Sequence, residues 1–215
     1  MSAKISVMLV DDHAVVRAGY RLLLSQTEGM EVACEAGRGE EACQRYQDHR
    51  PMVTVMDVNL PGIGGLDALR RILARDPAAR VLMFSIHDEL VYVTRALEAG
   101  ARGYITKSCA PEILVEAVAK VAEGECFVEP ELAQKLMART YAQHGGPGAL
   151  NGLSPREFDI FRLLAQGFTT RQIAEELCLG YKTVANYATQ LKAKLNARTT
   201  AEMAHIAYEH GLFKR

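Results

Sequence analysis

Asp57 closes the apolar run Val53-Thr54-Val55-Met56, and the acidic pair Asp11-Asp12 closes another, Ile5-Ser6-Val7-Met8-Leu9-Val10, far earlier in the chain. Runs this apolar suit parallel strands covered by helices on both faces, and sites in such sheets form at the carboxyl ends of the strands. Three carboxylates therefore meet at one rim. Ser85 ends Val81-Leu82-Met83-Phe84 and Lys107 follows Gly103-Tyr104-Ile105-Thr106, so four strand ends bring acids, a hydroxyl and an ammonium together. A carboxylate attacks phosphate poorly unless charge is screened. Mg2+, which takes few carboxylates, several waters and the phosphate itself, would supply that screening if Asp12 and its neighbours held it. Lys107 can then pair with phosphoryl oxygens, and Ser85 can donate to one of them. Any one of these residues could be an ordinary rim or cap residue; their combined placement is what points to phosphoryl transfer.

The elements that must position them alternate. Strands are expected at 5 to 10, 31 to 36, 53 to 57, 80 to 85 and 103 to 105, with helices near 14 to 26, 39 to 48, 65 to 75, 88 to 98 and 110 to 123. That alternation is the signature of parallel βαβ units, a doubly wound five-stranded α/β sheet. Leu66, Leu69, Ile72 and Leu73 recur at helical spacing after the turn-rich Pro61-Gly62-Ile63-Gly64-Gly65, a loop expected to bend away and leave Asp57 exposed. Beyond about 125 a short helix, Pro130 to Tyr141, precedes Gln143-His144-Gly145-Gly146-Pro147-Gly148, which reads as a flexible connector. The expected domains are thus 1–125, a linker with a short helix at 126–150, and 151–215.

The last segment carries only helical patterns. Ser154-Pro155-Arg156-Glu157 offers an N-cap, proline at the first helical position and the capping-box glutamate, ahead of Phe158, Phe161, Leu164 and Ala165 on one face. Gly167 ends that helix, Thr169 or Thr170 caps the next, and Gly180 precedes a third from about Lys182 to Leu195, which makes a small all-α helix-turn-helix unit. In the third helix Val184, Tyr187, Leu191 and Leu195 form one apolar face. Lys182, Ala185, Asn186, Thr189, Gln190 and Ala193 fall mostly opposite. Asn and Gln can form paired hydrogen bonds to adenine, and Thr can bond several bases or pack on a thymine methyl. Lys182, Lys192, Lys194, Arg198 and Arg171 suit phosphates.

The formal charge of -1 conceals a split: residues 151 to 215 hold nine Lys/Arg against six Asp/Glu, a net +3, leaving a net -4 for residues 1 to 150. An acidic front and a basic back suggest different partners. No run of about 18 apolar residues could span a bilayer, and the N-terminus lacks the order of a signal peptide, so a cytoplasmic protein without a membrane partner is expected. Cys34, Cys43, Cys109, Cys126 and Cys178 are scattered and form no metal or redox spacing, which reads as reduced thiols.

Through Val10-Asp11-Asp12, Met56-Asp57-Val58-Asn59-Leu60-Pro61-Gly62, Phe84-Ser85 and Gly103-Tyr104-Ile105-Thr106-Lys107, residues 4 to 123 resemble the CheY-like, flavodoxin-like receiver domain of two-component response regulators. The resemblance implies that Asp57 accepts phosphate from a histidine kinase. It implies that Asp12, Asp57 and the backbone carbonyl of Asn59 ligate Mg2+, with Asp11 helping nearby, and that Ser85 and Tyr104 form the switch pair that signals phosphorylation. In similar receivers the side chains at the positions of Asn59 and His87 influence how quickly water removes the phosphoryl group; no general-base role is assigned to His87. Residues 151 to 212 resemble the LuxR/NarL (FixJ) helix-turn-helix output domain through Leu153-Ser154-Pro155-Arg156-Glu157, Gly167, Ile173-Ala174, Lys182-Thr183-Val184 and Leu191 to Leu195. This implies double-stranded DNA as partner, with Lys182, Thr183, Ala185, Asn186, Thr189, Gln190, Lys192, Lys194 and Arg198 toward it, and a homodimer when active, formed through the last helix, about Thr199 to Glu209. Some relatives place lysine where Ala185 and Thr189 stand here, which weakens any transfer of a target sequence.

Two other readings compete with a phosphorylation-controlled transcription regulator. A phosphatase or phosphotransferase using Asp57 as covalent nucleophile would need a second catalytic acid and a substrate cap, and neither is visible, so no enzyme is expected. A DNA-binding regulator controlled by dimerisation or a protein partner, without phosphate, is the runner-up.

Overall fold

The computed structural model describes residues 4–142 and 149–213, so the expected connector at 143–148 lies outside the described residues. The chain divides into two compact units, Met1–Arg139 and Thr140–Arg215.

In the first unit, strands β1 (Ile5–Val10), β2 (Met30–Ala36), β3 (Val53–Met56), β4 (Val81–Ser85) and β5 (Gly103–Thr106) alternate with helices α1 (Ala14–Gln26), α2 (Gly39–His49), α3 (Gly65–Arg75), α4 (Leu90–Glu98) and α5 (Pro111–Ala122). A sixth strand, β6 (Phe127–Val128), and helix α6 (Pro130–Ala142) follow. All pairings are parallel, in the order β2-β1-β3-β4-β5-β6. The sheet thus exceeds the five strands expected from sequence by one. Two residues are too few to show a period, and β6 exists because the edge of β5 offers unpaired backbone groups that Phe127 and Val128 meet in register.

Pleating sends alternate side chains to opposite faces. Val7, Leu9, Val53, Val55, Leu82, Phe84 and Ile105 face Leu24 of α1 and Leu114, Ala117, Val118 and Val121 of α5 in one core. The intervening Met8, Val10, Thr54, Met56, Met83 and Tyr104 are buried as well, so both faces are covered. That burial explains the uninterrupted apolar runs. Each aliphatic side chain so buried contributes about 1.5 to 3 kcal/mol. The chain moves outward from β1 to β2 and then returns to β3 on the other side of β1, and the crevice at that reversal opens at the carboxyl ends of β1 and β3, where Asp11, Asp12 and Asp57 stand.

In the second unit a short 3-10 turn (Ala149–Gly152) leads into α7 (Pro155–Ala165), α8 (Thr170–Glu176), α9 (Tyr181–Lys194) and α10 (Thr200–Glu209). The Ser154 hydroxyl accepts from Glu157 N and the Glu157 carboxylate accepts from Ser154 N, the reciprocal box expected at the start of α7; Thr169 and Gln172 repeat it at α8. Phe158, Phe161, Ile173, Val184, Leu191, Met203 and Ala207 form its core. None of the described helices is long and apolar enough to cross a membrane. All five cysteines are unpaired.

Candidate functional site

At the end of β3 the backbone turns sharply, and α3 begins so close to it that a side chain at Gly65 would overlap the Asp57 carbonyl. Glycine at this point lets the helix start without pushing Asp57 away. The Asp57 backbone is tied to β1 by its N–H donating to the Val10 carbonyl at 2.9 Å, which fixes it beside Asp11 and Asp12.

Lys107 reaches across from the end of β5. Its Nζ lies 2.5 Å from Asp57 Oδ2 and 2.6 Å from Asp11 Oδ2. Asp57 Oδ1 accepts from Asn59 N at 3.1 Å. Both Asp57 oxygens are therefore engaged, and the residue is only 3% exposed. The expected exposure of this carboxylate is thus corrected: Lys107 Nζ and Asn59 N occupy its two oxygens and the residue is buried. Burial raises the Asp57 carboxyl above its ordinary value even though Lys107 opposes the shift. The two carboxylates in turn outweigh burial and hold the Lys107 ammonium above its usual range.

Asp11, Asp12, His13 and Asp57 each present a ligand atom within 4.8 Å of the others. Asp12 opens to solvent, and His13, which caps α1, places Nδ1 2.7 Å from Asp12 Oδ1 and 3.3 Å from Asp11 Oδ1. His13 directly follows the acidic pair in the chain, and that adjacency brings its ring to the same rim. Asp11 Oδ2 faces the Lys107 ammonium at 2.6 Å, while Asp12 and His13 stand on the solvent side of the cluster. An oxygen-rich set of few carboxylates, open to water at Asp12, fits a small hard divalent ion.

Ser85 and Tyr104 are both fully buried. Ser85 Oγ accepts from His87 N at 3.3 Å, and the Tyr104 hydroxyl donates to the His87 carbonyl at 2.8 Å. Burial holds the Tyr104 phenol far above its usual range. The His87 ring stacks on Tyr92 with centroids 4.2 Å apart, places Nδ1 3.6 Å from Glu89 Oε2, and meets Asn59 Nδ2 through Nε2 at 2.9 Å. Asn59 and His87 thus bridge the two loops beside Asp57. The roles of Tyr92 and Glu89 in holding His87 left no sequence signal, because nothing local tells which way a loop imidazole turns.

On α9, Lys182, Thr183, Asn186, Thr189 and Gln190 are exposed, Ala185 and Lys192 half-buried, and Val184, Leu191 and Leu195 buried. The expected apolar face forms except at Tyr187, which is half-buried and lines a depression of about 250 Å3 with Thr183, Asn186 and Gln190. Arg171 and Arg198 are exposed. Lys194 is engaged: its ammonium lies 2.7 Å from Glu157 Oε1.

Residues 7–119 match the response regulator receiver domain family, and residues 151–207 match the bacterial regulatory proteins of the luxR family. The chain is similar to the transcriptional activator protein ExaE of Pseudomonas putida, with 45% identity over 97% of this chain and 98% of that one. It is also similar to the response regulator GacA of Pseudomonas aeruginosa, with 36% identity over 97% of each. Among solved structures, a two-component response regulator of the LuxR family from Aurantimonas sp. SI85-9A1 is 40% identical and covers 65% of this chain and 99% of its own, with a TM-score of 0.63. An acidic strand-end pocket followed by a helix-turn-helix, matched in order along almost the full length, places this chain in the family of two-component response regulators that join a receiver to a LuxR-type DNA-binding domain.

Proposed function

We propose that phosphorylation of Asp57 by a histidine kinase, assisted by Mg2+, controls dimerisation and sequence-specific binding of double-stranded DNA in the cytoplasm. The observation that carries this reading is the convergence of Asp57, Asp11 and Lys107 from three separate strand ends with one ammonium shared between two carboxylates.

An Asp57 oxygen forms the new bond to phosphorus as the P–N bond of the donor phosphohistidine breaks, and the imidazole leaves with the electron pair and takes a proton from water. Asp11, Asp12, Asp57 and the Asn59 carbonyl would hold Mg2+, which when bound screens the charge between carboxylate and phosphoryl group. Asn59 N orients the Asp57 carboxylate. Lys107 exchanges a carboxylate partner for phosphoryl oxygens, and the Ser85 hydroxyl turns toward the same group. Losing Ser85 Oγ as acceptor and changing the charge near His87 alters the loop whose carbonyl holds Tyr104, which makes Ser85 and Tyr104 the switch pair. The output requires differential stabilisation of two states, for which about 1 to 3 kcal/mol suffices. On DNA, Lys182, Thr183, Ala185, Asn186, Thr189 and Gln190 would face the groove while Lys192 and Arg198 meet phosphates, with Lys194 joining them where it can leave Glu157.

The test is the intact mass of wild type and Asp57→Ala after incubation with Mg2+ and acetyl phosphate, followed by gel-shift titration on enriched genomic fragments. Only wild type should gain one phosphoryl group, and its DNA binding should tighten. Binding that is equal in both proteins and indifferent to phosphoryl donor would instead mean control by dimerisation or a protein partner.

A further inference from the structure

β6 stops one rung short of what β5 needs. Phe127 N donates to the Arg102 carbonyl at 2.9 Å and Glu129 N to the Tyr104 carbonyl at 3.1 Å, an advance of two residues on each strand. The same step would next bring Thr106 N to the carbonyl of Glu129. That carbonyl has left the sheet, because it accepts from Ala133 N at 2.9 Å as the first turn of α6. Thr106 is only 4% exposed, and a buried N–H without an acceptor would be costly.

Glu129 fills the rung with its side chain. Its Oε2 accepts from Thr106 N at 2.8 Å and from Thr106 Oγ1 at 2.8 Å. The next residue is Lys107, whose own N–H donates to the Ser85 carbonyl at 2.7 Å. A carboxylate at the start of α6 and a carbonyl at the end of β4 therefore clamp the short stretch that carries the pocket lysine. The carboxylate is felt locally: burial, with Glu129 adding to it, pushes the Cys109 thiol up to about 11. One turn into α6, Lys135 also faces Asp88 of the β4–α4 loop at 3.8 Å.

We propose that Glu129 is a positioning residue that couples the Lys107 ammonium in the phosphorylation pocket to the N-terminus of α6, the helix that precedes the second unit in the chain. The inference rests on Asp57 being the phosphoacceptor. When Lys107 shifts its partners toward a phosphoryl group, the Thr106–Lys107 peptide carries the change to the Glu129 carboxylate and thence to the first turn of α6; by reciprocity, whatever fixes α6 biases Lys107.

The experiment uses the full chain as wild type, Glu129→Ala, Glu129→Asp and Glu129→Gln. Intact mass after acetyl phosphate and Mg2+ reports phosphorylation, and hydrogen exchange over residues 130–138, with and without beryllium fluoride and Mg2+, reports α6. Wild type and Glu129→Gln, which keeps an acceptor oxygen at the same reach, should change α6 exchange by about tenfold on loading. Glu129→Asp, of equal charge but one methylene short, and Glu129→Ala should still gain the phosphoryl group while the α6 response falls to about twofold or less. If Glu129→Ala fails to fold, the Asp and Gln pair decides. Equal responses in all four proteins overturn the proposal, as does a phosphorylated wild type whose α6 does not respond; in both cases Asp57 stands as acceptor. A wild type that gains no phosphoryl group removes the acceptor reading and the coupling with it.

Discussion

Lys107 holds two carboxylates with one ammonium, and both carboxylates are nearly closed off from solvent. Such an arrangement is costly to break from one side, because removing the cation leaves two charges facing each other without a partner. Lys107→Met in Mg2+-free buffer should therefore destabilise the receiver by about 3 kcal/mol in urea unfolding. Adding Asp57→Asn should recover most of that loss, and a double variant no more stable than Lys107→Met alone would contradict the charge argument. The acids, Ser85 and Lys107 were legible in the sequence because each directly follows an apolar strand, so the topology fixes where they meet. The closure over Asp57 was not legible, since it depends on how far a lysine stem reaches from another strand. Glu129 was invisible for a different reason: it substitutes for a main-chain carbonyl at a point where a two-residue strand becomes a helix, and neither pattern is long enough to register.

Among the elements, α7 shows how a local signal acquires a non-local partner. Its capping box follows from Ser154 and Glu157 three residues apart, which the sequence displays. Lys194, at the far end of α9, adds an ion pair to the same carboxylate, and only the packed unit reveals it. Burial alone would raise the Glu157 carboxyl, but Lys194 and the Ser154 donor outweigh it and the net shift is downward. A depressed folded value means stability that is fully present above the unfolded value, ordinarily near 4.5, and lost as pH falls through the folded one. Glu157→Gln keeps an acceptor for Ser154 N but loses the charge, so it should cost about 1 kcal/mol at pH 7. The cost should vanish under acid. Hydrogen exchange at α7 amides, about fivefold faster in the variant at pH 7 and equal once the pH is below the depressed value, would show this. A difference that persists unchanged in acid would mean that the Lys194 charge pair contributes nothing. The same contact explains why counting basic residues along α9 overstates what is free for DNA.

At the scale of the whole molecule the charge is divided, with a net -4 before residue 151 and a net +3 after it, so the acidic receiver adds nothing to phosphate attraction. Among the described cations of the second unit, Lys194 faces Glu157 and Arg156 donates to the Leu177 carbonyl, while Arg171, Lys182, Lys192 and Arg198 retain exposed or half-exposed side chains. About three or four phosphate contacts per copy would give a slope of about -3 in log affinity against log salt, a modest electrostatic contribution from one copy. Two copies on one site should double that slope to about -6. Because each recognition helix must meet the major groove on one side of the duplex, half-sites should lie about one helical turn apart, and inserting about 5 bp between them should reduce binding to the single-copy level. Gel shifts of the phosphorylated protein between about 50 and 200 mM salt, on the intact and the lengthened site, test both statements together. A slope near -3 that ignores the insertion would mean that a single copy binds, and the proposed link between phosphorylation and dimerisation on DNA would then have no energetic purpose.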